Sequence, residues 1–196
     1  MRYPGYKEFE GMVFYSSPNK GPKAIPGEYL VSLNYNGEVI EQSLKIEKDP
    51  RLENTDKDYR DQFDFLINVR NQVTRANSAI IKIREVQKDL NYLKQKSGLT
   101  EEINNLINQF EIKLSRIENN IHMTKNQSRQ DPLNYGIRIN NRIAFLVADS
   151  QRGDYPPTNQ AKAFFKEITA ELDREMEALE KLINGSISRL NEIVSD

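Results

Sequence analysis

The residues best suited to bind a ligand lie in one polar segment of the chain. Asp131, Asn134 and Tyr135 stand in a turn-rich stretch, and Asn140 and Asn141 follow it closely. Asn and Asp at such positions commonly cap helices through side-chain hydrogen bonds to the backbone, and we favour that structural role. The alternative is that these five residues form a polar recognition surface. The segment is therefore the candidate binding site.

No pattern predicts catalytic chemistry. His122 is the only histidine and cysteine is absent, so disulfides, thiolate zinc sites and a cysteine nucleophile are excluded. The HExxH, GxSxG and P-loop motifs are missing. Carboxylates are plentiful, but we expect them on solvated helix faces and not paired in a desolvated cleft. We predict no catalytic residue, no cofactor and no metal site.

The composition favours long amphipathic helices, which expose much polar surface for each residue they bury. Hydrophobic residues make up 37% of the 196 residues and charged residues 29%, and the mean hydropathy is -0.73. A net charge of -1 offers no basic footprint for nucleic acid. No apolar run of about 18 residues is present, so we predict no membrane insertion either.

Residues 28–47 carry the signal of a β-hairpin. Apolar and polar residues alternate from Glu28 to Tyr35, Asn36-Gly37 is the preferred pair for a type I′ turn, and a second strand follows. The two-residue turn predicts the register Leu33–Ile40, Tyr29–Leu44 and Val31–Gln42.

The predicted hairpin requires a covering partner. One of its faces is apolar, and a two-stranded hairpin alone is marginal in water. Met12–Tyr15 is a candidate third strand. We expect either that the helices cover the sheet or that a sheet encoded upstream does.

Residues 51–196 are predicted to be mainly helical. A capping box at Thr55–Asp58 predicts a first long helix, and Thr100 and Thr158 predict the starts of two others, with a shorter helix over Ile137–Ser150. The first helix carries a heptad seam of Leu66, Val69, Val73, Ala76, Ile80, Ile83, Gln87 and Leu90. Core packing is the favoured use of these stripes, and a homodimer seam is the alternative.

The predicted fold class is therefore mainly α with a small β part. We expect an elongated antiparallel helical bundle of three long helices plus one short helix, preceded by a two- to three-stranded antiparallel sheet. The predicted division is a β region over residues 1–50 and a helical bundle over residues 51–196.

Short motifs along nearly the whole chain resemble a known protein family. They are Arg2-Tyr3-Pro4, Phe9-Glu10-Gly11-Met12, Gly21-Pro22-Lys23-Ala24-Ile25-Pro26-Gly27-Glu28-Tyr29, Lys48-Asp49-Pro50-Arg51, Gln62-Phe63, Asp131-Pro132-Leu133-Asn134-Tyr135, Asn140-Asn141 and Gly153-Asp154-Tyr155-Pro156-Pro157-Thr158. In these motifs the chain resembles the C-terminal region of large bacterial BNR-repeat or sortilin-like propeller proteins described as glycosyl hydrolases. Gly136 departs from the pattern, since a proline is expected there.

The resemblance implies a context for the chain. An upstream propeller of the same polypeptide would hold any active site and would be a partner of this chain. The hairpin would be the last part of a partial immunoglobulin-like sandwich, and export would place the protein outside the cytoplasm, in the periplasm or secreted. No catalytic residue carries over to this chain, because the matching positions lie outside the propeller.

Three functions follow as expectations. The first is a non-catalytic accessory or interaction module that mediates domain packing or oligomerisation. The alternative is a carbohydrate-binding or carbohydrate-processing role, for which the aromatic platform would be Tyr3, Tyr6, Phe14, Tyr15 and Tyr35. A stand-alone cytoplasmic adaptor bundle is a third reading.

Overall fold

A computed structural model describes residues 1–15, 19–95 and 99–195, with backbone alone for 186–195. Its elements are a two-stranded antiparallel sheet followed by five helices, which confirms the predicted fold class. They are β1 (Gly27–Tyr35), β2 (Glu38–Ile46), α1 (Asp56–Lys94), α2 (Glu101–Ile121), α3 (Pro132–Tyr135), α4 (Ile139–Ser150) and α5 (Asn159–Ser195).

The hairpin has the register that its turn predicts. Leu33 faces Ile40, Tyr29 faces Leu44 and Val31 faces Gln42. Asn36 and Gly37 adopt φ angles of 49° and 88°, the positive values that a type I′ turn needs. Because a type I′ turn matches the twist of the flanking strands, the two residues fix the pairing of the whole hairpin.

The prediction of a third strand at Met12–Tyr15 is wrong. In the described parts of the chain this segment has no strand partner, and the Met12 N–H donates to the Phe9 carbonyl in a turn. The Tyr15 N–H donates to Asn141 Oδ1 at 2.7 Å, while Met12 and Phe14 pack against the helical core. A short apolar segment was mistaken for a strand because burial against helices produces the same composition.

Helix α1 begins and packs as its sequence predicts. Thr55 and Asp58 form a reciprocal capping box, which satisfies two backbone N–H groups at the start of the helix. Seven of the eight seam positions are buried, and the exception, Gln87, donates a hydrogen bond to Ser115 of α2. The seam is therefore bundle core over the length of the helix.

Helices α2 and α4 run in the same direction against α1 and share its length between them. Glu118 of α2 pairs with Arg84 of α1, whereas Gln62, near the start of α1, bonds the carbonyl of Ser150 at the end of α4. The short helix, which the length of the other helices predicts as part of a crossing loop, is instead a full member of the bundle as α4. The two helices act as one middle helix that is interrupted at residues 122–138.

Helix α5 completes the bundle and runs parallel to α1. Thr158 caps it by accepting the Ala161 N–H at 3.1 Å, as predicted. Phe165 stacks edge-on against Phe65 of α1, and Asp173 pairs with Arg75. Ile168 and Leu172 are fully buried. The helical spacing predicts Ile187 as a further core position, and it lies outside the described side chains.

Replacing one buried isoleucine should destabilise the bundle strongly. Ile80 is completely buried, so Ile80→Ala removes apolar contacts and leaves a cavity, and we expect a loss of about 2–5 kcal/mol. The matched control is Ile112→Ala on α2, where the side chain is 69% exposed and the expected change is within about 0.5 kcal/mol. Urea denaturation followed by circular dichroism measures both, and equal losses would contradict the assigned core.

Candidate interaction surface

The hairpin presents one mainly apolar face to solvent, in which Gln42 and Glu38 of β2 are the polar members. Residues paired across an antiparallel ladder share a face, so the register places the apolar side chains of both strands together. We call this the apolar face. Its large exposed members are Val31, Leu33, Tyr35, Ile40 and Leu44. Tyr29 and Ile46 extend it toward the open end of the hairpin, where residues 21–26 and 47–49 form what we call the stem. The opposite face is mainly polar, with Glu28, Ser32, Asn34, Glu41, Ser43 and Lys45 around Leu30 and Val39.

The helices do not cover this apolar face. Leu33 is 60% exposed and Ile40 64% exposed, and neither strand lies beside any helix in the described parts of the chain. The expectation that the helices cover the hairpin is therefore wrong. The physical reason is that the apolar stripes of α1, α2, α4 and α5 are buried against one another, so the helices have no apolar stripe left to pack on the hairpin.

The hairpin stem, in contrast, is fixed to the bundle. Lys23 forms an ion pair with Asp154 at 2.7 Å, and Arg2 donates to the carbonyl of Gly21 and to Gln151. Gly21 is buried against the Tyr3 carbonyl, where a Cβ would lie 1.8 Å from that oxygen. Only glycine fits such a close backbone approach, which explains the residue at this position.

A cleft of about 360 Å³ lies where the stem meets the start of α1. It is lined by residues of both, including Ile25, Ile46, Tyr59 and Phe63. Tyr59 is 7% exposed, and its hydroxyl has no hydrogen-bond partner among the described residues. Acidic and basic side chains line the cleft in equal measure, so its charge favours no ligand class.

The five predicted recognition residues separate into two groups. Asp131, Asn134 and Tyr135 lie around α3 at the surface. Asp131 accepts hydrogen bonds from the backbone N–H groups of Gln127 and Ser128, and these bonds lower the pKa of its carboxyl group. Tyr135 is 48% exposed, with the Lys125 ammonium 5.8 Å from its ring centre. Recognition by this surface group stays a prediction.

Asn140 and Asn141 are instead buried at the start of α4. Asn141 holds the backbone of Tyr15 on both sides, accepting its N–H at 2.7 Å and donating to its carbonyl at 3.2 Å. Asn140 accepts the backbone N–H of Asn141 at 2.8 Å. Their contacts are therefore structural and tie the first fifteen residues to the helices.

The interruption of the middle helix contains a buried polar network. Asn140 Nδ2 donates to Asn77 Oδ1 at 3.1 Å and lies 3.3 Å from His122 Nδ1. Asn77 donates in turn to the carbonyl of Lys7 at 2.7 Å. Asn140 and Asn77 are completely buried and His122 is 2% exposed. The sequence carries no signal for this network because its members, Lys7, Asn77, His122 and Asn140, lie far apart in the chain.

The N-terminal segment, residues 1–15, lies over this network. Besides Asn77 and Asn141, the Arg84 guanidinium holds it by donating to the Glu10 carbonyl at 2.8 Å and stacking 4.9 Å over the Phe9 ring. Phe9 also contacts the His122 ring edge-on. These contacts place residues 1–15 with the helices, while the predicted boundary at residue 50 stays a prediction.

His122 is held neutral by its surroundings. Because Asn140 Nδ2 is a donor, Nδ1 of the imidazole accepts and the proton sits on Nε2. Burial, helped by the Arg84 guanidinium, lowers the pKa of His122 from 6.5 to about 4. The imidazole acts here as a packing and hydrogen-bonding group.

Acid should weaken the fold through His122. The unfolded chain binds this proton below pH 6.5 and the folded chain only below about 4, so stability is full above pH 6.5 and falls between those values, by up to about 3 kcal/mol. NMR titration of the single imidazole measures the folded pKa directly. His122→Gln should flatten the unfolding profile in this window, and a pKa near 6.5 would contradict the buried network.

The two groups of recognition residues should respond differently to substitution. Asn141→Ala removes both bonds to Tyr15, so we expect a loss of about 1–3 kcal/mol and faster hydrogen exchange at the Tyr15 amide. Asn134→Ala, on the exposed part of the same segment, is the matched control and should change neither by much. Equal exchange rates in both variants would contradict the structural role of Asn141.

The five aromatics of the predicted carbohydrate platform do not share a surface. Tyr6 is 5% exposed and packs with Phe14, and Tyr3 stacks edge-on against Phe63. Tyr15 is half-buried beside Asn141. Tyr35 is 70% exposed at the tip of the hairpin, away from the other four. A flat sugar-stacking surface is therefore not assembled from these residues.

Among the described residues no three His, Cys, Asp or Glu side chains come together in a way that would hold a metal ion. The described helices also include none with the length and apolarity to cross a membrane. Comparison with protein-family models, with curated proteins and with solved structures finds no match for this chain. The resemblance to propeller proteins therefore stays a prediction.

Proposed function

We propose that the chain is a non-catalytic interaction module in which the apolar face of the hairpin is the docking surface and the helical bundle is its rigid base. The module mediates domain packing or oligomerisation. Following the resemblance, we propose that it belongs to a larger exported protein and that its docking partner is β-rich. The observation that carries the proposal is the uncovered apolar face.

Thermodynamics supports docking through this face. A two-stranded hairpin is marginally stable in water because it buries little apolar surface of its own. Contiguous apolar patches that remain exposed on a folded protein usually mark interaction sites. Covering the face would remove five large apolar side chains from water, each worth about 1.5–3 kcal/mol when fully buried.

The attachment of the hairpin stem to the helical bundle also supports the proposal. Its stem is held by the Lys23–Asp154 ion pair and by the hydrogen bonds of Arg2, while both strands stand clear of the helices. A docking element that is positioned before it meets its partner loses less conformational entropy on binding. The bundle therefore contributes to affinity without touching the partner.

A single lysine on the apolar face should weaken binding. Ile40 is 64% exposed on this face, and a lysine there would bury a charge at the contact, so we expect Ile40→Lys to weaken the complex about 10- to 100-fold. The matched control is Val39→Lys, which changes the adjacent, 57% exposed apolar residue on the opposite face and should have little effect. Sedimentation velocity measures association of the chain alone and with the polypeptide encoded directly upstream in the same reading frame.

Two outcomes would contradict the proposed function. One is the absence of any complex in both samples over a full concentration series. The other is an equal loss of binding in Ile40→Lys and Val39→Lys, since the face would then have no special role. Circular dichroism of both variants checks that the helices are intact.

We place the carbohydrate-binding alternative second. It needs exposed aromatic rings in one plane, and the candidate tyrosines lie apart on the hairpin tip and the N-terminal segment. A glycan array separates the two proposals: binding that is lost in Tyr35→Ala and kept in Ile40→Lys would favour the carbohydrate role.

A further inference from the structure

The outer edges of β1 and β2 differ in how well they are protected against pairing with another strand. From Tyr29 to Tyr35 the β1 edge has no charge, no proline and no glycine. The β2 edge carries Glu38, Glu41 and Lys45. Exposed edge strands usually carry charges or prolines that prevent pairing with another strand. By this criterion β2 is protected and β1 is open.

The hydrogen-bonding groups of the open edge can be assigned from the register. Tyr35 and Glu38 flank the two-residue turn and form a hydrogen-bonded pair, and such pairs alternate with non-bonded pairs along the ladder. The N–H and C=O groups of Leu30, Ser32 and Asn34 therefore point away from β2. Six backbone groups on this edge have no partner within the hairpin.

The sequence of this edge is complementary to itself. A second β1 placed antiparallel, with Ser32 opposite Ser32 of the second copy, brings Tyr29 opposite Tyr35 and Val31 opposite Leu33. These are aromatic and aliphatic cross-strand pairs on the apolar face, and such pairs stabilise sheets. On the other face Leu30 meets Asn34. No charge opposes another anywhere in the seven paired positions.

The same alignment gives hydrogen-bond partners to the outward-pointing backbone groups of both β1 strands. Ser32 would pair with its copy, and Leu30 with Asn34, through the groups that point outward on both strands. In this register the turn of the second copy lies opposite Glu28, so the seven paired residues are those from Tyr29 to Tyr35. A nine-residue strand is about 30 Å long, so the two bundles lie at opposite ends of the joined sheet.

We propose that the occupant of the β1 edge is a second copy of this chain, joined by antiparallel pairing about a two-fold axis at Ser32. The product is a continuous four-stranded sheet in the order β2-β1-β1-β2. This inference rests on the proposed function, because it uses the same hairpin and widens the same apolar face. Pairing along seven residues buries little area, so the dimer is weak and concentration-dependent.

Cysteine crosslinking tests the register directly, because the chain contains no cysteine of its own. Ser32→Cys places two thiols on a hydrogen-bonded pair, where the Cα atoms lie about 5.5 Å apart, a separation that a disulfide spans. We expect a covalent dimer on mild oxidation of this variant. The matched control is Ser43→Cys on the β2 edge, which should form no covalent dimer under the same conditions.

Proline substitution tests the edge independently. Ser32→Pro removes an outward N–H at the centre of the contact while leaving the hydrogen bonds to β2 in place, so it should abolish dimer formation in sedimentation velocity. Ser43→Pro makes the same change on the protected edge and should leave the dimer unchanged. NMR signals of the β2 amides verify that the hairpin persists in both variants.

The results separate this inference from the proposed function. Crosslinking of Ser32→Cys alone and loss of the dimer in Ser32→Pro alone would establish the two-fold pairing. Equal crosslinking at both edges, or a dimer that persists in Ser32→Pro and is lost in Ile40→Lys, would overturn the edge pairing while leaving the apolar face as the docking surface. A chain that stays monomeric yet binds the upstream polypeptide through Ile40 would likewise overturn this inference alone.

Discussion

The structure depends on one buried contact, the amide pair between Asn77 of α1 and Asn140 at the start of α4. It lies where the middle helix is interrupted, and its two amides bond the Lys7 carbonyl and the Asn141 N–H, which are backbone groups that apolar side chains could not satisfy. Asn77 reaches the N-terminal segment through the Lys7 carbonyl, and Asn140 reaches His122. Polar contacts that are fully satisfied in this way are costly to break, so they fix how α2, α4 and residues 1–15 meet.

The polar network tolerates substitution less than the rest of the core does. The heptad seam of α1 and the stripes of α2 and α5 would accept many apolar residues of similar size. The amide of Asn140 accepts one bond and donates toward two partners, and Asn77 bonds both Asn140 and the Lys7 carbonyl. Neither residue can be exchanged for an apolar one without leaving buried polar atoms unpaired. Apolar packing thus supplies most of the stability, while the network selects one arrangement.

Sequence reasoning predicted those parts of the fold in which the determining residues are neighbours in the chain. The hairpin register followed from Asn36-Gly37, and the helix starts followed from Thr55, Thr100 and Thr158, because turns and caps are local. It failed at Met12–Tyr15, whose conformation is set by Asn141, 126 residues away. It also grouped Asn140 with Tyr135, since nothing local distinguishes a buried amide from an exposed one. For the candidate site, the apolar face was predictable from alternation, but its exposure was not, because that depends on how the helices pair.

The separation between the hairpin strands and the helices has a consequence for how such a protein can evolve. Among the described residues the backbone of neither strand runs beside a helix, so we expect substitutions at the exposed end of the apolar face and in the bundle core to affect stability nearly independently. Substitutions at the exposed end of the hairpin are therefore not restrained by the need to keep the bundle folded, whereas the contacts of the stem with the bundle, such as Lys23 with Asp154, have to be kept. The binding preference of the apolar face can therefore change by substitution while the helical framework is retained.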